Sequence, residues 1–440
     1  MPEETLPVSP SRERMEAFIR KYWKYHRVPV GRDTTAFVED MVADLGARHI
    51  SVLTGEACLT WVVPPSWNVN EAFLETLSGE RIADFEWNPM YVKSYSKSFS
   101  GEVDRALLVE HTQTDKERSD CITYDYRQQY AFGERDDWGF SLPYDVVTSL
   151  KDDAYRVHID AEFGAGTLDV CDQELTGDNP DTIFFAAHTC HPAQVNDGLA
   201  CIAIIIELMR RLAESPTRRY TYRGLYGPEY YGAAAVLDRG ESVEELKYGF
   251  FLDMLGNGQR MGFSRSYIGN SYVDKALRNV LKYNIEDYFE VEYRRLWGND
   301  ELFYDGPDFR IPTIGLGRGR FRHYHTDKDN PELCNYAQLD ESVDVLEKVC
   351  DVFERDKVIK RLYRGPLYLS RFDLYIDPKK DRPGYRSLQE IQILMDGQKS
   401  NLTIADELGI SFDFVDHFTE ALLEKGLAEI VDVLPAREDP

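Results

Sequence analysis

Histidine and carboxylate recur in this chain at four separated places, each just past a short apolar run. After TIFFAA come His188, Thr189, Cys190, His191 and Pro192, then Asn196 and Asp197; after RGLYG come Pro228 and Glu229; GFFL ends in Asp253; and past IPTIGLG lie His323, Tyr324, His325 and Thr326. Imidazole nitrogen and carboxylate oxygen are the donors of a zinc site, whose ion keeps one position open for water when it is catalytic. A single His or Asp at a strand end is more often a cap or a satisfied core group. The joint pattern weighs more, because four of the nine histidines fall in two tight clusters and carboxylates stand at the other strand ends.

Residues this far apart in sequence meet only if something gathers them, and a parallel sheet does so at the carboxyl ends of its strands. From about Tyr155 onward, short β runs alternate with helical runs of ten or more residues such as LACIAIIIELMRRLAE. That alternation predicts an α/β domain over 151–385, with a mainly parallel sheet flanked by helices. Ahead of it, apolar residues at helical spacing from Arg12 to about Leu45 predict two helices within 1–50 that pack on this domain. Residues 51–150 change to short β-type runs (CLTWVV, YVKSYSKSF, RALLVEH) and predict an inserted, lid-like β-rich domain. Its aromatic run TYDYRQQYAFGERDDWGFSLP is read as the packed surface of that domain in preference to a substrate contact. After Pro383 and Gly384, the order helix, short helix, longer helix and β ribbon predicts a winged-helix domain over 386–440.

Arg318, Arg320 and Arg322 alternate before His323, so an extended segment would place them on one side. Arg318 is the candidate to hold an oxyanion or a substrate carboxylate, with Arg320 and Arg322 read as solvated charges.

Charge narrows the partners. A formal net charge of -26 repels phosphate backbones and anionic lipid headgroups, so neither nucleic acid nor a membrane is an expected partner. The C-terminal residues 386–440 carry 4 Lys/Arg against 12 Asp/Glu, and SFDFVDHFTEALLEK offers one Lys against four carboxylates, the reverse of what a DNA reader needs. The N-terminus lacks the positive charge and apolar core of a secretory signal, which predicts a cytoplasmic protein. Seven scattered cysteines without a CxxC pair are read as reduced thiols.

The segments HTCHPAQVND, GPEYYG, FLDMLG, GNDELFYDGPDFRIPTIGL and YHTDKDNPE resemble the signature of the zinc aminopeptidase superfamily that includes bacterial leucyl aminopeptidases and glutaminyl cyclases. The whole chain more closely resembles a bacterial and archaeal aminopeptidase-like branch with a β-rich insertion and a C-terminal winged helix. The resemblance implies a zinc-dependent hydrolase of amide or peptide bonds acting on a small peptide-like or N-acylated substrate, with one or two Zn2+ ions. It carries the bridging role to Asp197, a histidine role to His191 with His188 as the competing candidate, the distal carboxylate to Asp253 and the last histidine to His325. Glu229 would be the general base, or a ligand. Asp300 and Glu301, in a GNDE segment resembling the superfamily's polar turn, are candidates to support ligands or meet a substrate amine. Three places depart from the pattern: Glu229 is followed by Tyr230 where a second glutamate is usual, Cys190 stands where an Asp is usual, and Gly198-Leu199 stands where a small pair usually follows the bridging Asp. One carboxylate then serves one role, or the site holds a single zinc. The alternative reading is a non-catalytic, ligand-sensing regulator acting through the winged helix, and assembly as a homo-oligomer is left open.

Overall fold

Eight strands form the central sheet, in the order Arg48–Leu53, Thr167–Leu175, Thr221–Gly227, Thr182–His188, Leu246–Leu252, Thr313–Arg318, Met261–Ser264 and Phe289–Val291. The computed structural model describes residues 9–126 and 137–432. The middle four strands run parallel, as expected. The flanks differ: Thr167–Leu175 is antiparallel to both of its neighbours, and Met261–Ser264 is antiparallel to Thr313–Arg318, so the sheet as a whole is mixed. Thr182–His188 and Thr221–Gly227 are buried along their whole length, which explains why neither alternates polar with apolar. One charged side chain in them, Arg223, is neutralised by a bidentate pair with buried Asp172.

Helices cover the sheet. Leu199–Ala213 is apolar nearly all round and is a core helix, with Arg210 and Arg211 completing its last turn. It starts at Gly198, whose φ of 97° and whose close approach to the carbonyl of His188 leave no room for a side chain. The N-terminal helices Pro10–Tyr22 and Arg32–Leu45 pack into the same core through Met15, Ile19, Tyr22, Phe37, Val38 and Met41.

The chain leaves this sheet after Leu53 and returns to it at Thr167. In between, Arg81–Asp84, Ser66–Thr76, Ala154–Gly164 and Phe99–Asp104 form an antiparallel sheet with its own core around Trp67, Leu74 and Val157. The first strand, Arg48–Leu53, thus belongs to the central sheet, and Ala154–Gly164 belongs to the inserted one. The insertion is tied to the loop past Thr313–Arg318: Tyr124 N–H donates to the His325 carbonyl at 2.9 Å, Ile122 N–H to Asp327 Oδ1 at 2.9 Å, and Arg118 Nη1 to the Tyr324 carbonyl at 2.6 Å.

Near the C-terminus, helices Arg382–Leu394, Asn401–Leu408 and Phe412–Glu424 accompany a three-stranded sheet in which Val358–Arg361 lies between Asp396–Ser400 and Ala428–Asp432. Phe412, Val415, Phe418 and Leu422 face inward and join the main core. Three of the four acids on the same helix are taken by basic groups ahead of it. Arg355 pairs with Asp413 and Asp416 at 2.9 and 2.8 Å, and Lys357 pairs with Asp416 and Glu420. Asp356 accepts from Leu402 N–H and from the Tyr272 hydroxyl, both at 2.9 Å. Among the described residues, no helix is long and apolar enough to cross a membrane.

Candidate metal centre

Three parallel strand ends and the loop past a fourth deliver His188, His191, Asp197, Glu229, Asp253 and His325 to one place. His188 is the last residue of Thr182–His188, Asp197 lies two residues before Leu199–Ala213, Glu229 two residues after Thr221–Gly227, and Asp253 directly after Leu246–Leu252. Five of the six are at least nine-tenths buried, and the side chain of His325 is 16% exposed. Ring nitrogens of His188 and His191 each lie 3.6 Å from Asp197 Oδ1, and His325 Nε2 lies 3.0 Å from Asp197 Oδ2. Ligands around a tetrahedral zinc with bonds of about 2.1 Å stand roughly 3.4 Å apart, so these separations suit a shared ion.

The hydrogen-bond geometry points the same way. Both nitrogens of His188, Nε2 of His325, Oδ2 of Asp197 and Oδ1 of Asp253 are buried without a hydrogen-bond partner in the described protein. Buried polar groups left in that condition cost about 1–3 kcal/mol each, and a cation at the point they face would satisfy several at once. One donor atom each from His191, Asp197 and His325 falls within 4.8 Å of the others, and a second such group joins His188, Cys190 and His191. The donor set therefore fits zinc: His188 and His191 face Asp197 Oδ1, His325 faces Asp197 Oδ2, and Asp253 adds a buried carboxylate oxygen without a partner among the described residues. Both histidines that competed for the first position are in the cluster.

Burial and the facing charges act on these groups in opposite directions. Burial opposes ionisation of Asp197, yet facing His191, His188 and His325 hold its carboxyl well below the usual range. Burial drives His191 down to about 3. At His188 burial acts in the same direction but is outweighed by Asp197, Glu229 and Asp253, which raise it to about 10. Burial and the nearby Asp197 charge push Asp253 well above the ordinary carboxylate range.

Backbone strain concentrates here as well. His191, Ala193, Tyr230, Met254 and His325 all adopt left-handed φ, between 52° and 80°. Each costs roughly 1–3 kcal/mol and persists only where its surroundings impose it. For the His191 loop the restraint is Arg27, fully buried, which donates to the carbonyls of Thr189 at 3.0 Å, Cys190 at 3.3 Å and Gln194 at 2.7 Å. For Asp197 it is Asp329, whose carboxylate accepts from Asn196 N–H, Asn196 Nδ2 and Asp197 N–H at 2.8 to 3.2 Å. Burial raises Asp329 to about 6.

Glu229 occupies a different position from the ligand atoms. Asn299 Nδ2 donates to its Oε1 at 2.9 Å, and the Tyr126 hydroxyl donates to its Oε2 at 2.7 Å. Its backbone N–H meets Cys190 Sγ at 3.2 Å, and Oε2 lies 3.8 Å from His191 Nε2. Burial raises its carboxyl above the usual range. Asp300 and Glu301 stand behind it. Asp300 Oδ1 accepts from Tyr230 N–H at 2.6 Å, Glu301 Oε2 accepts from Asn299 N–H at 2.8 Å, and burial raises both carboxyls to about 7.

Two sequence expectations do not match this geometry. Arg318 is not in the cluster: its guanidinium donates to the carbonyls of Leu255, Gln259 and Gln338 and pairs with Glu341. The reason is that Arg318 ends a fully buried strand, where neighbouring carbonyls, and not solvent or a ligand, claim its donors. The aromatic run of the insertion is also more than a packed surface. The Tyr124 ring meets His191 and His325 edge-on at 5.4 and 5.3 Å, and Tyr126 lies over the same two rings. Residues 127–136 of that run lie outside the described residues. Beside His325, a cavity of about 610 Å³ opens between Gln113, Lys116, Arg118 and Tyr124 of the insertion and Phe321 and Tyr324 of the loop.

A mixed sheet whose parallel strand ends converge on buried imidazoles and carboxylates defines an aminopeptidase-like α/β protein. The chain belongs to the family described as Domain of unknown function (DUF4910), whose model matches residues 16–356. It is 27% identical over 418 residues, covering 92% of this chain and 94% of the other, to a Clostridium acetobutylicum protein provisionally described as a polysaccharide biosynthesis protein with an aminopeptidase-like domain. A crystal structure from Clostridium acetobutylicum, provisionally described as a peptidase, superposes with a TM-score of 0.86 at 25% identity over 96% of this chain and 97% of that one. The zinc aminopeptidase BSAP from Bacillus subtilis shares the fold, with a TM-score of 0.52 at 12% identity over 79% of this chain and 95% of that one.

Proposed function

We propose that the protein is a zinc-dependent amide hydrolase in which His191, Asp197 and His325 hold the ion, His188 and Asp253 complete a second position around Asp197, and Glu229 is the general base. The observation that supports this most strongly is the convergence of buried, unpartnered imidazole and carboxylate atoms from separate strand ends on Asp197. Bound zinc supplies Lewis acidity, acidifying water and polarising a carbonyl. Glu229, held by two neutral donors 2.7 and 2.9 Å away, accepts the water's proton and returns it to the leaving amine. Asp300 and Glu301 support that wall through Tyr230 and Asn299, and neither is needed as a second base.

Both substrate classes, peptide-like and N-acylated, belong to the proposal. The regulator alternative is disfavoured because Asp413, Asp416 and Glu420 of the would-be recognition helix are engaged by Arg355 and Lys357 of the same chain. The test is a panel of aminoacyl and N-acyl amides assayed with and without chelator. Chelator-sensitive turnover restored by zinc is expected; turnover that survives complete zinc removal contradicts the proposal.

A further inference from the structure

We infer that the inserted domain completes the reaction centre through Tyr126, a positioning residue that fixes the carboxylate of Glu229 in its proton-accepting orientation. The inference rests on the reading of Glu229 as the general base.

Tyr126 comes from a domain with its own sheet and core, yet its ring lies 5.9 Å from the His191 ring with 9° between the planes, and 5.5 Å from the His325 ring at 25°. The two imidazoles thereby set the direction of the phenol, which ends 2.7 Å from Glu229 Oε2. The anchoring is independent of the tyrosine itself: Ile122 and Tyr124, four and two residues earlier, are hydrogen-bonded to Asp327 and His325 by their backbones. A carboxylate buried in this way can rotate among several orientations, and only some aim a lone pair at water beside the metal ligands. Asn299 holds one oxygen, so the second contact, from Tyr126, removes the remaining rotation and leaves each oxygen a free lone pair. A ring that merely packed against the histidines would do so equally well without its hydroxyl.

The separating variant is therefore Tyr126→Phe, compared with Glu229→Gln and with the double variant. Removing one aligned hydrogen bond should lower kcat about tenfold while KM and zinc content stay within about twofold. The double variant should be no slower than Glu229→Gln alone, because the tyrosine acts through the glutamate. A readout that needs no substrate is the infrared carboxyl band of Glu229, identified as the band that Glu229→Gln abolishes; it should move in Tyr126→Phe. Wild-type kcat and an unmoved band in Tyr126→Phe, with Glu229→Gln inactive, would overturn this inference alone. Full turnover in Glu229→Gln would overturn the assignment of the base and this inference with it.

Discussion

Two regions of this molecule are rich in carboxylates and treat them in opposite ways. In helix Phe412–Glu424, Asp413, Asp416 and Glu420 each meet Arg355 or Lys357, and Asp416 also accepts from Asn401. At the strand ends, Asp197 and Asp253 form no ion pair with an arginine or lysine among the described residues; Asp197 faces imidazoles instead, and the nitrogens of His188 and Nε2 of His325 have no hydrogen-bond partner there. The first arrangement is closed, since its charges cancel within the chain and fasten one element to another. The second is open, because burial without a permanent counter-charge is stable only when a mobile cation or a proton supplies one. Acidity alone therefore says little. What distinguishes a docking face from a metal centre is whether fixed basic groups are supplied with it.

The comparison can be sharpened by substitution. The largest effect is expected at Glu229: Glu229→Gln keeps the shape, so zinc content should hold while turnover falls by about 10² or more. If zinc is lost as well, Glu229 belongs with the ligands. Next is Arg27, which touches no proposed ligand side chain but restrains the loop carrying His191 through three carbonyls. Arg27→Met should weaken zinc affinity by roughly 10–100-fold in a competition titration, and unchanged affinity would show that the loop holds its left-handed turns unaided.

On the closed side, effects should appear in stability and not in metal. Arg355→Ala leaves buried Asp416 with one basic partner and should cost about 1–2 kcal/mol in denaturant unfolding, with zinc content unchanged. Asp413→Asn, on a largely exposed side chain, should cost no more than about 0.5 kcal/mol. The same pairing predicts no measurable duplex binding even at low salt, checked by gel shift; a salt-sensitive shift would restore the regulator alternative.

Much of this was legible in the sequence because strand ends are. His188, His191, Asp197, Glu229, Asp253 and His325 follow β runs whose length and flanking turns show where each strand stops, and a parallel core brings such ends together. The antiparallel flanks were not legible, since a short buried run does not state its direction. Arg318 misled for a related reason: alternation gives a side of a strand but not what packs there, and here Leu255, Gln259 and Gln338 do. Arg27, Asn299 and Asp329 act through backbone or side-chain hydrogen bonds across 70 to 167 residues, a relation with no local pattern. Tyr126 was concealed by its company, because an aromatic run reads as core until one member is found over two histidines.

The central claim is that the open cluster holds zinc, and elemental analysis of the purified protein tests it most directly. The wild-type chain should carry between one and two zinc equivalents. His325→Ala and His191→Ala each remove an imidazole facing Asp197, and each should lose zinc together with turnover. Metal content unchanged in both variants would contradict the account.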